Sequence, residues 1–142
     1  SSDTGNSSMK DDVNITFSNV RILKDNEISG IQLDSDSMLV AGNIKIYNSG
    51  ASPVSFNTLD LTLNYKVDSR SPQAVIDKAN QFPDGILRGN PLIANTGIDS
   101  EITFGTIKPY ETRSGTVVFK IYKCNVQKYS LNWKSVKEIK AE

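Results

Sequence analysis

The stretch LDLTLNYK sets Leu59, Leu61, Leu63 and Tyr65 in strict alternation with Asp60, Thr62, Asn64 and Lys66. A helix repeats every 3.6 residues and cannot hold such a row on one side, whereas successive side chains of a strand point to opposite faces. A half-buried strand with one apolar face is therefore expected here. The same period returns in Val13, Ile15 and Phe17, then slips one residue to Val20 and Ile22, which predicts a bulge near Ser18–Asn19. It returns again from Met38 to Tyr47, with Met38, Val40, Ile44 and Ile46 on one face. Gly42 interrupts that row, where a bulge or a close backbone approach fits.

Later strands are expected at Glu101–Phe104 with Ile107, at Gly115–Tyr122 with Val117, Phe119 and Ile121 inward, and at Lys128–Trp133 with Tyr129, Leu131 and Trp133 inward. NSGASP between two of the earlier strands is turn chemistry: Asn48 and Gly50 tolerate positive φ, and Pro53 cannot sit inside a central ladder. Residues 66 to 100 break the rhythm. SPQAVIDKANQF reads as a short helix with Ser71 as N-cap, Pro72 at its first position and Val75, Ala79 and Phe82 on one side, stopped by Pro83. PDG, GNP and NTG then mark turns through a mostly irregular stretch.

About seven short strands and one helix in a long connection are the pattern of an all-β, antiparallel β-sandwich, with a closed barrel as the alternative. At 142 residues the chain suffices for one domain, assigned to residues 13–142. Residues 1–12, SSDTGNSSMKDD, have almost nothing to bury and are expected as a flexible N-terminal spacer.

The chemical inventory excludes more than it offers. Histidine is absent, which removes Ser-His-Asp and Cys-His catalysis and every His-ligated zinc site. Cys124 is the only cysteine, so no intrachain disulfide or CxxC motif exists, and a small apolar role beside a strand is expected for it. No GxSxG elbow is present. Asp34 and Asp36 in DSDS, with Asp25 and Glu27 nearby, lack the spacing of a calcium loop and read as a solvated turn. The 16 basic residues balance the 16 acidic ones without a basic block, so nucleic acid is not expected as a partner. No catalytic residue, metal or cofactor is expected, and the chain is not expected to be an enzyme.

Two sequons, NSS at Asn6 and NIT at Asn14, make those asparagines candidates for glycosylation. Phe17, Phe56, Phe104, Phe119 and Trp133 are expected in the core, leaving Phe82 and Tyr110 uncommitted. A connection as long as Lys66 to Ser100 exceeds the ~12–15 residues beyond which loops are usually functional or disordered. Phe82, Asp84, Arg88, Asn90 and Tyr110 are therefore the candidate binding residues.

IYNSGASPVSF resembles the N-x-G-x-x-P-V step of small immunoglobulin-like extracellular domains, through Asn48, Gly50, Pro53 and Val54. IKPYETRSGTVVFKI is similar to their L-x-P-G-E-x-x-x-G-x-x-x-F step, through Ile107, Pro109, Glu111, Gly115 and Phe119, with Tyr110 standing where the pattern prefers glycine. The group so indicated is the bacterial secreted and lipoprotein family related to the mycobacterial immunoprotective extracellular protein. The desiccation-related domain of plants and archaea and the soluble domains of archaeal surface-filament machinery share the rhythm. The resemblance implies an immunoglobulin-like sandwich, secreted or at the cell surface, and no activity; with the solvated leader, it leads to the expectation of a tether through a removed N-terminal segment.

The expected function is non-catalytic binding of a protein or cell-envelope component, with contact to a membrane only through that anchor and with homo-oligomers by edge-strand pairing. The alternatives are a structural or accessory subunit of a surface filament or secretion apparatus, and a carboxylate-dependent enzyme.

Overall fold

The computed structural model describes residues 9–10, 13–24, 33–92, 105–134 and 136–142. Its strands are β1 (Met9–Lys10), β2 (Val13–Ile22), β3 (Ser37–Asn48), β4 (Val54–Phe56), β5 (Leu61–Val67), β6 (Ile86–Pro91), β7 (Gly105–Ile107), β8 (Thr112–Tyr122), β9 (Val126–Trp133) and β10 (Val136–Lys140). One helix, α1 (Gln73–Ala79), lies between β5 and β6, and a 3-10 turn spans Thr58–Asp60. The protein is all-β, with one short helix among the described residues. No described helix is long and apolar enough to cross a membrane.

The strands run in the order β1-β2-β3-β8-β6-β5-β9-β10, with β4 and β7 as a separate pair. The neighbours are antiparallel. The long sheet folds over into two layers, and β6 carries the chain between them. Its first part pairs with β5 at Tyr65↔Leu87 and Leu63↔Gly89, and its end pairs with β8 at Asn90↔Lys120 and Pro91↔Phe119. At the opposite seam a parallel bridge joins Phe17 to Ala141, and Glu142 N donates to Phe17 O at 2.8 Å. With β2, β3, β8 and β6 facing β5, β9 and β10, the connectivity is that of the immunoglobulin sandwich.

The alternating positions meet between the layers. Phe17, Ile44, Ile46, Leu61, Leu63, Tyr65, Phe119, Leu131 and Trp133 belong to one core, to which α1 adds Val75 and Ala79. Both anticipated irregularities are present. The β2–β3 register shifts between Ser18 and Arg21, with Asn19 at φ 55°, so Val13 to Phe17 keep facing the core and Val20 packs against it, but Ile22, expected on the same face as Val20, is exposed. Gly42 is a close approach and also the residue opposite the β2 bulge: a Cβ there would stand 2.5 Å from Phe17 Cε1, and the β2–β3 register passes from Ser18↔Asn43 to Arg21↔Ala41 across it, while the β3–β8 register runs unbroken. A smaller cluster lies apart from this core: Leu39, Ala41 and Val118 alternate with the core-facing residues of β3 and β8, and Leu23, just after β2, joins them.

Several expectations change. Leu59 belongs to the 3-10 turn and is exposed, so the inward row begins at Leu61; Asn57 Oδ1 accepts from Leu59 N at 3.0 Å and initiates that turn. Ser71 does not cap α1. Its hydroxyl donates to Asn125 O at 2.9 Å and accepts from Asn125 N at 3.0 Å, which ties the helix approach to the β8–β9 turn, and Pro72 occupies the cap position. Phe82 lies beyond the helix and is exposed, away from the buried side of Val75 and Ala79. Neither Asn48 nor Gly50 has positive φ, whereas Tyr110 does, at 64°.

The stretch after α1 is not mostly irregular, because it contains β6. Gly89 and Pro91 argue against a strand in sequence. Here Gly89 lets the crossing strand approach β8, since a Cβ would meet Ile121 Cγ2 at 2.6 Å, and Pro91 stands at the strand end. The last strand, β10, is also additional to those anticipated. A register shift between Val136 and Ile139, with Glu138 at φ 55°, spaces its two buried residues by three and erases the period of two.

Of the expected spacer, Met9–Lys10 form β1 and residues 1–8 and 11–12 lie outside the described residues, as do the candidate Asn6 and also Asp25, Glu27 and Phe104.

Candidate functional site

Four of the five candidate binding residues fall on one run of chain. Phe82 and Asp84 lie in the turn after α1, and Arg88 and Asn90 follow on β6. Asp84 organises the start of the strand: its Oδ1 accepts from Ile86 N at 3.1 Å, and its Oδ2 pairs with Arg88 Nη2 at 3.2 Å. The Ile86 amide, followed by Arg88, holds the Asp84 carboxyl below its ordinary pKa. Arg88 Nη1 donates to Ile86 O at 3.0 Å, so its guanidinium is fixed along the strand. Alternation on β6 puts Leu87 and Gly89 inward and leaves Arg88 and Asn90 on the outside.

Tyr110 is elsewhere. It sits at the β7–β8 corner, where Glu111 N donates to Lys108 O at 3.0 Å, Pro109 precedes it and its own φ is positive. Those are the marks of a type II turn. Thr112, beside this corner, and Lys120, opposite Asn90, are eight residues apart on β8, a distance of roughly 26 Å at ~3.3 Å per residue. Tyr110 therefore does not join the other four. Asn14 is half-buried on β2, between Met9 of β1 and Tyr47 of β3.

Arg88 borders two depressions. The smaller, about 380 Å³, opens where β6 crosses between layers and includes Asn90, Lys120, Asp34 and Tyr122. Tyr65 forms part of it; its hydroxyl accepts from Tyr122 N at 3.2 Å, and burial pushes its pKa up to about 12. The larger, about 720 Å³, lies on the outer face of β6, β5, β9 and β10.

Its floor is made by polar residues at the outward positions of β5 and β9. Asn64 Nδ2 donates to Ser130 Oγ at 3.2 Å and to Asn132 Oδ1 at 3.0 Å, and Asn132 Oδ1 also accepts from Glu138 N at 2.8 Å. Because Asn132 Oδ1 is already the acceptor for a backbone amide, Asn64 must turn its amide nitrogen toward it, which fixes the Asn64 orientation. Lys128, Lys137 and Lys140 border the groove.

These groove residues were not among the candidates. The available signal was modest: uncharged polar residues at four outward positions of two strands whose register sets Asn64 opposite Ser130 and Thr62 opposite Asn132. The acidic DSDS turn gives no comparable arrangement. Asp34 Oδ2 accepts from Ser37 Oγ at 3.4 Å and stands 4.0 Å from Lys120 Nζ, and no group of three or more acidic or cysteine side chains capable of holding a metal occurs among the described residues. Cys124 is buried, and that burial pushes its thiol pKa up to about 11, away from reactive thiolate.

No protein-family model and no curated protein sequence matches the chain. Solved structures resemble it, among them two from Bacillus subtilis. The yjhA protein of Bacillus subtilis aligns with a TM-score of 0.52 and 14% identity, covering 86% of this chain and 72% of that one. The ycdA protein of Bacillus subtilis strain 168, a candidate lipoprotein, aligns with a TM-score of 0.54 and 16% identity, over 85% of this chain. The chain spans only 30% of the ycdA protein. At these identities the likeness shows a shared β-rich fold.

Proposed function

We propose that this protein is a non-catalytic recognition module, secreted or displayed at the cell surface, that holds a protein or cell-envelope component on the outer face of its β6-β5-β9-β10 layer. The observation that carries the reading is the open groove of about 720 Å³ on that face, floored by hydrogen-bonding side chains on rigid strands. Binding sites commonly combine a concave surface with a few fixed polar groups. The candidate-lipoprotein description of the ycdA neighbour agrees with a surface location, as does the resemblance of the Asn48 and Ile107 stretches to extracellular domains.

The test is fractionation of the source cells with an epitope tag on the full-length gene product, combined with protease treatment of intact cells. An envelope or secreted product cleaved by external protease is expected. A protease-protected cytosolic product overturns the location. Turnover of cell-wall glycan or peptide that disappears on a single Asp or Glu substitution overturns the non-catalytic reading.

A further inference from the structure

We propose that the groove over Asn64, Ser130 and Asn132 binds an anionic carbohydrate, a sugar or polyol chain carrying carboxylate or phosphate; this rests on the recognition reading above and names its ligand.

Two independent features of the groove select that chemistry. The first is charge. Among the described residues, Lys128, Lys137 and Lys140 make no ion pair, while the groove's other cation, Arg88, is neutralised by Asp84 at 3.2 Å. Three unpaired lysines face one unpaired acid, Glu138, so the groove is net positive although the chain is neutral. A cleft lined by one sign of charge concentrates ligands of the other.

The second is hydrogen bonding. Asn64 is 6% exposed, yet its Oδ1 has no donor among the described residues. The other such atom, Trp133 Nε1, does not belong to this groove. An orphaned buried acceptor is uncommon, because forgoing its hydrogen bond is costly. Around it the floor offers donors: Ser130 Oγ accepts from Asn64 and keeps its own proton to give, and the Asn132 amide nitrogen makes no bond among the described residues. A floor that needs a donor at one point and supplies donors at the next suits alcohols, which do both. A bare anion cannot satisfy Asn64 Oδ1, and a neutral glycan leaves the lysines unused.

Isothermal titration of the full chain with defined probes tests this. Polygalacturonate supplies carboxylates on hydroxyl-bearing rings, and poly(glycerol phosphate) supplies phosphates on a polyol. Polyphosphate supplies charge without donors, and dextran supplies hydroxyls without charge. At least one of the first two is expected to bind at least tenfold tighter than polyphosphate, with no binding of dextran, and which of the two binds identifies the acid. The triple variant Lys128→Gln, Lys137→Gln, Lys140→Gln is expected to lose at least tenfold in affinity with an unchanged melting temperature. Asn64→Ala is expected to weaken the carbohydrate while leaving polyphosphate as it was.

Equal or tighter polyphosphate binding reduces the groove to a cationic patch and overturns the proposal, and so does an unaffected triple variant. If neither anionic carbohydrate binds, the ligand class is wrong. Retention of the wild-type chain, but not the triple variant, on isolated envelope then preserves the recognition reading, and loss of both retentions sinks that as well.

Discussion

Asn48 Nδ2 donates to Ile107 O at 3.0 Å, across 59 residues of chain, and so fastens the end of β3 to the end of β7. The same amide donates to Ser52 O at 2.8 Å, its Oδ1 accepts from Gly50 N at 3.0 Å, and its main chain exchanges bonds with Tyr110 N and Glu111 O. Asn48 is fully buried, and so are Gly50 and Ile107, so the Gly50 amide and the Ile107 carbonyl are left without water to replace this side chain. The IYNSGASPVSF and IKPYETRSGTVVFKI stretches are thus the two sides of one corner. Asn48→Ala is expected to cost about 2–4 kcal/mol, since it strands buried backbone groups rather than merely deleting a contact. Urea unfolding of the variant measures the cost, and a loss below about 0.5 kcal/mol, the lower end for one net hydrogen bond, contradicts it.

Gly42 is held by Phe17. Added carbon would stand 2.5 and 2.8 Å from two ring atoms, and Phe17 is fully buried, so the ring has little room to retreat. Gly42→Ala is expected to destabilise by about 1–3 kcal/mol, the usual range for an overpacked core. Combining it with Phe17→Leu should cost less than the two changes summed, because they share one contact. Additive losses in thermal melts would place the strain elsewhere.

Tyr110 adopts φ 64° at the third position of its turn while the residue is 64% exposed. The left-handed backbone costs a non-glycine residue roughly 1–2 kcal/mol, against about 0.4–1 kcal/mol of extra chain entropy that glycine must lose. Tyr110→Gly is therefore expected to raise stability by up to about 1 kcal/mol, and Tyr110→Val to lower it by at least as much because branching worsens the strain. Denaturation midpoints for the pair decide the matter, and an order of Val above Gly would refute it.

Burial raises the pKa of Tyr65 and Tyr129 from 10.0 to about 12 and that of Cys124 from 9.0 to about 11. Each folded-state value exceeds its unfolded one, so the folded chain holds its protons longer and the associated stability is complete below pH 9. It is lost as pH climbs from 9 toward 12, at up to about 1.4 kcal/mol per pH unit for each titrating group. Unfolding free energy measured from pH 8 to pH 11.5 should be level at first and then fall. A level curve throughout contradicts the assignment, and Tyr65→Phe should flatten part of the slope.

Alternation alone determined that this chain forms strands, because Val13 to Phe17, Met38 to Ile46, Leu61 to Tyr65, Val117 to Ile121 and Leu131 to Trp133 each present a row that only a pleated strand keeps on one face. The slip at Ser18–Asn19 and the gap at Gly42 were legible for the same reason: a break in a period marks its own position. Where the period itself is broken by geometry, the sequence is mute. In β6, Gly89 and Pro91 imitate a loop, and in β10 the bulge at Glu138 spaces Val136 and Ile139 as a strand should not. Ser71 had the right chemistry for a helix cap, and only the proximity of Asn125, 54 residues away, gave its hydroxyl a different partner. The groove follows the same division. That Asn64, Ser130 and Asn132 point away from the core is local, set by the period of two. That they converge beneath Lys128, Lys137 and Lys140 depends on the β5–β9 register, a pairing between distant segments that no local pattern encodes, and on the adjacent β10, whose bulge hides it from the period of two.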